Sequence, residues 1–197
     1  MILPLDELIQ AHQLALETRD PSSRFCVLNT VDENGYPASR VLTVRSIEQA
    51  GIKLYVDQHS PKVVQLQKNA KFELLFFWPT LMKQYRVRGE FEIVKNPDQA
   101  AEWINKPYAG RLVDLYHSVG RTQSCPVDSL KIVQSEVAAL AAQYPDQQLT
   151  EMPDGLITLL IKATHIGAWI NIQEDRIHDR REYGLVDGSW QEQVLVP

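Results

Sequence analysis

RFCVLNTVDENGYPASRVLTVRSIEQAGIKLYV, residues 24–56, decides the fold class. Its apolar residues recur every second position, which is the spacing of a strand with one buried face. Arg24 to Thr30 reads as a strand, Asp32-Glu33-Asn34-Gly35 as a turn, and Ala38 to Ser46 as the hairpin partner. Ile52 to Val56 follows Gly51 as a third strand. Two aromatic and β-branched runs, Phe72 to Trp78 and Gln84 to Val94, continue this antiparallel meander across a connection containing Pro79. Five such strands are long enough to curl. Near the C-terminus Leu156 to Ile172, Arg176 to Leu185 and Ser189 to Val196 read as three closing strands, with Asp187-Gly188 as a hairpin turn.

Helical signals flank and interrupt the strands. Leu5, Leu8, Ile9, His12 and Leu16 fall at helical intervals, and Asp20-Pro21 ends that helix. Asn96-Pro97 is a cap followed by proline at the first helical position, so a helix is expected toward Asn105, and a second over Tyr108 to Ser118. Asp128 can cap a longer helix whose stripe is Leu130, Val133, Val137, Leu140 and Ala141, ending near Tyr144-Pro145. Pro145 to Pro153 then reads as a surface connection. The expectation is one mainly β domain over 1–197: an antiparallel, Greek-key-like barrel, closed or partly open. It is decorated by an N-terminal helix within 1–20 and a helical insertion over 97–144.

Composition narrows the function. Among 197 residues, 25 acidic against 20 basic side chains give a formal net charge of -5, and without a basic run a nucleic-acid partner is not expected. No apolar stretch approaches the ~20 residues of a membrane span, and the start lacks a basic leader, so a soluble, cytoplasmic protein is expected. Cys26 and Cys125 are read as reduced thiols, because they have neither metal-ligand spacing nor a disulfide framework. His117 and His165 belong to no cluster with metal spacing, and no metal site is assigned. No Gly-rich phosphate loop, nucleophile elbow or carboxylate pair marks another chemistry.

Several segments can instead supply cations to one anion. Arg176-Ile177-His178-Asp179-Arg180, if extended, lines two guanidinium groups and an imidazole along one face. Such a stripe suits an anionic ligand, and equally an edge strand charged against aggregation. Arg40 and Arg45 lie an odd number of positions apart and so face opposite ways. His59-Ser60-Pro61-Lys62 has the form of a helix start, with Ser60 at the cap, free amides and a lysine. Gln84, Arg86 and Arg88 share one strand face, with Tyr85 and Val87 on the other. Gly120-Arg121-Thr122-Gln123-Ser124 is a polar loop.

In their order and spacing, Arg40-Val41-Leu42, Tyr55, Ser60-x-Lys62, Gln84, Gln123-Ser124, Trp169 and Arg176-x-His178-Asp179-Arg180 resemble the pyridoxamine 5′-phosphate oxidase family of FMN-binding split barrels. The likeness runs from Ser23 to Pro197, and the terminal Arg-x-His-Asp-Arg is its most specific part. It implies an FMN-binding split β-barrel forming a homodimer, with FMN at the subunit interface. By position, Arg40, Ser60 and Lys62 would hold the FMN phosphate. Backbone of Val41, Leu42 and Thr43 and the Tyr55-Val56 pair would flank the flavin. Gln84, Gln123 and Ser124 would contact its ring or tail, Trp169 would pack near the isoalloxazine, and Arg180 would set positive charge beside it. That charge would favour the reduced ring, which tends toward an anion.

The resemblance also implies that Arg176 and His178 are the catalytic pair, holding a substrate over the flavin, with Arg45 and Lys106 beside them in substrate binding. Here the sequence departs from the family. Arg45 stands for a lysine, Lys106-Pro107 for an arginine before proline, Glu102 for a tyrosine, and Gly110 for a serine. A substrate phosphate loses a hydroxyl donor at each of the last two positions, a loss of ~1 to 3 kcal/mol each. Lys106 and Arg45 keep the positive charge, so another small anion fits. An FMN-dependent oxidoreductase is the primary expectation. The alternatives are a flavin-binding carrier or sensor without turnover, and a split barrel holding another ligand such as haem or a deazaflavin.

Overall fold

The computed structural model describes residues 3–94, 97–171 and 177–197. The chain divides into two compact units, one formed by 1–54, 65–92 and 159–197 and the other by 55–64 and 93–158. The elements in order are α1 (Pro4–Glu17), β1 (Phe25–Val31), β2 (Pro37–Glu48), β3 (Gly51–Asp57), α2 (Pro61–Lys68), β4 (Glu73–Trp78), β5 (Lys83–Val94), α3 (Pro97–Ile104), α4 (Tyr108–Val119), α5 (Leu130–Gln143), β6 (Leu156–Ile170), β7 (Asp179–Val186) and β8 (Ser189–Val194). No helix among the described residues is long and apolar enough to cross a membrane.

The eight strands lie in the order β3-β2-β1-β4-β5-β6-β7-β8, and β3 also pairs with β6. That extra pairing closes six antiparallel strands into a barrel and leaves β7 and β8 as an extension. Closure at this seam depends on Gly51. Its φ is +134°, and a Cβ there would stand 2.4 Å from the Ile161 carbonyl oxygen, so only glycine lets the two backbones meet. The first hairpin turns at Asp32, whose Oδ1 accepts from the amides of Asn34 and Tyr36 at 2.9 Å. Gly35, three positions on, takes positive φ, as the left-handed residue that closes such a hairpin loop does. Asp187 and Gly188 both adopt positive φ, the geometry of the two-residue turn expected between β7 and β8.

Inside the barrel unit, Leu28, Ile52, Leu54, Leu74, Phe76, Trp78, Tyr85, Val87 and Ile161 are buried. α1 packs through Leu8, Ala11, His12 and Ala15. Leu16, expected in this stripe, is 39% exposed instead, because Ala15 takes the inward position on a helix that starts at Pro4. His12 stacks on Trp78 at 5.8 Å and donates from Nε2 to the Ser23 carbonyl at 3.0 Å. Burial pulls its pKa below the ordinary 6.5, with the Ser23 contact opposing.

In the second unit, Trp103, Leu112 and Leu149 form a core joined by Tyr108, Val137, Leu140 and Met152. Two expectations are corrected here. α5 begins after Ser129 rather than at a cap on Asp128, and Leu130, placed in its apolar stripe, is 68% exposed. Only the Val137, Leu140 and Ala141 end of that stripe reaches the core. The connection from Pro145 is also more than surface: it contains a short helical turn, Asp146–Gln148, and inserts Leu149, whose carbonyl accepts from buried Arg111. The cap expected at Asn96 lies outside the described residues; the helix itself begins at Pro97.

Candidate functional site

Within the barrel unit, register sets the outward faces of β4, β5, β6 and β7. Phe77 pairs with Gln84, and Trp169 with Arg180. Tyr85 and Val87 point into the core, so Gln84, Arg86 and Arg88 point out, as their alternation predicts. The result is a cleft of about 340 Å³ lined by Phe77, Gln84, Arg86, Trp169, Arg180 and Arg181, among others.

The three arginines of this cleft differ in their partners. Arg86 Nη2 meets Glu182 Oε1 at 3.1 Å, lying over Gly167, where a Cβ would come within 3.2 Å of that nitrogen. Arg181 bonds Asp179 and Glu192, each at 2.8 Å, and its guanidinium is held above its ordinary pKa, chiefly by Asp179. Among the described residues no carboxylate pairs with Arg180. A cation with no counter-charge among the described residues, beside an indole, an amide and a phenyl ring, suits a flat ligand with a negative edge.

His178 adjoins this cleft through Trp169, the two ring centroids lying 4.9 Å apart. Its Nδ1 is 3.1 Å from the Asn171 side-chain oxygen. That oxygen is an acceptor, so Nδ1 carries the proton and Nε2 is left to address a substrate. The alternating stripe expected from residue 176 onward is corrected. β7 begins only at Asp179, opposite Ile170 where β6 ends, so Ile177 and His178 precede the ladder. Arg176 lies outside the described residues.

Arg40, on the half-buried face of β2, is held from three sides. Its Nη1 donates to the Leu28 carbonyl at 3.2 Å and to Thr30 Oγ1 at 2.6 Å, and its Nη2 to Gln65 Oε1 at 3.0 Å. Val41, Leu42 and Thr43 pair with β1, whereas the β2–β3 register runs over Val44 to Glu48 and stops short of them. Arg45 faces the exposed side of the strand, opposite Arg40 as the odd spacing requires.

In the second unit, Tyr55 is half-buried and Val56 buried at the end of β3. Ser60 is fully buried and precedes α2, but its hydroxyl donates back to the Asp57 carbonyl at 2.6 Å. Lys62 is 7% exposed and donates to Gln123 Oε1 at 2.8 Å, so two residues of the expected set, sixty-one positions apart, meet here. Ser124 follows with φ +66°. At the α3–α4 corner, Lys106 forms an ion pair with Asp114, which also accepts from Trp103 Nε1 at 2.8 Å. Glu102 is exposed, and a Cβ on Gly110 would only touch the Lys106 stem. His165 stands 3.9 Å from Glu182, and His117 faces the Arg121 carbonyl.

Thr30, Gln65, Asn171, Glu182 and Asp114 were not singled out in the sequence. Each acts on a charged or catalytic candidate from another element, and no local spacing marks them.

The family model for the pyridoxamine 5′-phosphate oxidase FMN-binding domain matches residues 5–95. Over 98% of its length the chain is 27% identical to the pyridoxine/pyridoxamine 5′-phosphate oxidase of Herminiimonas arsenicoxydans, covering 89% of that protein. Over 92% it is 28% identical to the same-named enzyme of Legionella pneumophila strain Paris, covering 80% of it. Along most of its length the chain is thus similar to pyridoxine/pyridoxamine 5′-phosphate oxidases, and its N-terminal stretch matches their FMN-binding domain. Solved structures agree on the split-barrel fold. PhzG from Burkholderia lata superposes with a TM-score of 0.85 at 18% identity, over 98% of this chain and 92% of that one. An FMN-binding protein related to pyridoxamine 5′-phosphate oxidase from Nostoc punctiforme superposes with a TM-score of 0.74 at 19% identity, over the whole of both chains. The matched stretch contains Arg40, Ser60, Lys62 and Gln84, while Gln123, Trp169 and the His178 segment lie beyond it.

Proposed function

We propose that this chain is a member of the pyridoxamine 5′-phosphate oxidase-like family and an FMN-dependent oxidoreductase acting on a small substrate held by His178 and Arg176. The observation that carries the reading is the cleft in which Arg180, without a carboxylate partner among the described residues, stands beside Trp169 and Gln84. FMN, when bound, supplies two-electron redox chemistry that no side chain here offers. Arg180 would favour negative charge on the ring edge, and Trp169 would exclude water from one side. Arg40 and Lys62 are each assigned to the FMN phosphate, with Ser60 near the latter. Val41, Leu42, Thr43, Tyr55 and Val56 are assigned to the flavin's flanks, and Gln123 and Ser124 to its ring or tail. His178, with its proton on Nδ1, would present Nε2 as an acceptor to the substrate's amine or alcohol.

The substrate side departs from a phosphate pocket. Lys106, assigned to substrate binding with Arg45, already has its charge opposed by Asp114. With Glu102 and Gly110 in place of hydroxyl donors, this corner favours a substrate other than pyridoxine phosphate. It also favours the second reading, a flavin-binding carrier or sensor that does not turn over.

A homodimer is supported by the outer surface of the barrel. Val41, Val27 and Leu75 form an apolar row across three paired strands, flanked by Phe25 and Phe77, which are 44% and 42% exposed. A barrel facing only water would place polar groups there. Two free cysteines accord with a reducing, cytoplasmic setting. The test is anaerobic mixing of the FMN-loaded protein with pyridoxamine 5′-phosphate and with unphosphorylated amines and alcohols. Bleaching of the flavin by any of them supports the oxidoreductase. A flavin that stays oxidised with all of them supports the carrier, and failure to take up FMN overturns both.

A further inference from the structure

Arg40 lies on the half-buried face of β2, and three of its five N–H groups are already engaged by Leu28, Thr30 and Gln65. Thr30 is 2% exposed and is itself fixed, its hydroxyl donating to Gln65 Oε1 at 2.6 Å while accepting from Arg40 Nη1 at the same distance. The three side chains therefore close a triangle in which each polar atom constrains the others. Nη1 is fully occupied, with one hydrogen to a carbonyl and one to a hydroxyl. The Nε–H and the second Nη2 hydrogen have no partner among the described residues. Nε and Nη2 form one edge of the guanidinium, the edge that grips two oxygens of a phosphate at once. Burial pulls the Arg40 pKa below its ordinary value, as expected for a cation whose local partners are all neutral.

We propose that Thr30 and Gln65 are positioning residues that lock Arg40 with its Nε/Nη2 edge turned toward the phosphate of FMN; this rests on the assignment of Arg40 to that phosphate. Neither residue needs to touch the cofactor. Their effect is entropic and directional: a long, half-buried arginine side chain without fixed partners samples several rotamers, and the triangle removes most of them before the ligand arrives. Gln65 and Thr30 come from α2 and β1 respectively and lie in the same compact unit.

The test uses the purified full chain and two ligands, FMN and riboflavin, which differ only in the phosphate. Thr30→Val and Gln65→Ala are each expected to raise the FMN dissociation constant by about 5- to 30-fold, the scale of one or two lost hydrogen bonds. Riboflavin affinity should stay within about 2-fold. Thr30→Ser keeps the hydroxyl and should restore FMN affinity. In an Arg40→Ala background, Thr30→Val should add nothing further, since its effect passes through the missing guanidinium.

A merely structural role predicts parallel loss of FMN and riboflavin, or additive losses in the double variant, and either result overturns the proposal. So does unchanged FMN affinity in both single variants. Thermal unfolding identifies a variant that fails to fold, in which case the Thr30→Ser and Gln65→Glu pair decides. The serine should bind FMN normally, and the glutamate, which brings a carboxylate to Arg40, should weaken FMN alone. If the wild-type chain takes up no FMN, the reading of the cofactor has failed rather than the reading of the lock.

Discussion

Replacing Lys62 by methionine isolates the charge that the FMN reading assigns to this position. The lysine is 7% exposed, so its stem is packed and its ammonium is held in place by Gln123 Oε1 at 2.8 Å. An alanine there would delete three buried methylenes as well as the charge. At about 0.8 kcal/mol each that adds about 2 kcal/mol of lost stability, which would blur any change in binding. Methionine fills most of the same volume and removes only the ammonium. Losing one charge-assisted contact to a phosphate weakens binding by about 1.5 to 3 kcal/mol, which raises the FMN dissociation constant about 10- to 150-fold. Quenching of flavin fluorescence, titrated at fixed ionic strength, reads this directly, and riboflavin serves as the ligand that should not respond. A dissociation constant within about 2-fold of wild type would refute the phosphate role of Lys62, because a buried ammonium at a phosphate cannot be removed at so small a cost.

Three further outcomes follow from the fold. Gly51→Ala should destabilise the protein by about 2 to 4 kcal/mol in chemical unfolding, since it combines a positive φ with a Cβ facing the Ile161 carbonyl at the barrel seam; a change below about 0.5 kcal/mol would mean the seam is not closed this way. Buried His12 has a depressed pKa, so below about 6.5 the unfolded chain binds the proton more readily. Its contribution to stability is therefore complete above that pH and lost as the pH falls toward the folded-state value. His12→Gln should flatten this dependence in unfolding curves taken between about pH 5 and 7, and an unaltered slope would reject the assignment. Burial pushes the Cys26 thiol up to about 12 while Cys125 is exposed, so a thiol reagent at neutral pH should modify Cys125 alone in the native protein and both cysteines in denaturant; rapid native labelling of Cys26 would contradict the packing of β1.

What could be read from residue order was whatever repeats locally. The β1–β2–β3 meander and the outward set Gln84, Arg86 and Arg88 follow from period two, and the opposed faces of Arg40 and Arg45 follow from their odd spacing. The C-terminal stripe did not transfer in the same way, because alternation holds only where a ladder partner exists, and β6 ends at Ile170 opposite Asp179. The partners that tune the candidate site were not legible at all. Thr30 and Gln65 meet Arg40 only after β1 pairs with β2 and α2 folds back. Asp114 reaches Lys106 only once α3 and α4 have formed their corner, and Glu182 reaches Arg86 across ninety-six positions. Leu149 looked like part of a polar loop, yet it fills the core beside Trp103 and Leu112, since a single leucine among polar neighbours carries no periodic signal.

The central claim is that this chain binds FMN through its phosphate and its ring together. It is tested most directly by titrating the purified protein with FMN while recording the visible absorbance spectrum. The account predicts shifted, better-resolved flavin bands that saturate in equal proportion to the chain and persist through gel filtration. A free-flavin spectrum at every ratio, with all the FMN eluting apart from the protein, would contradict it.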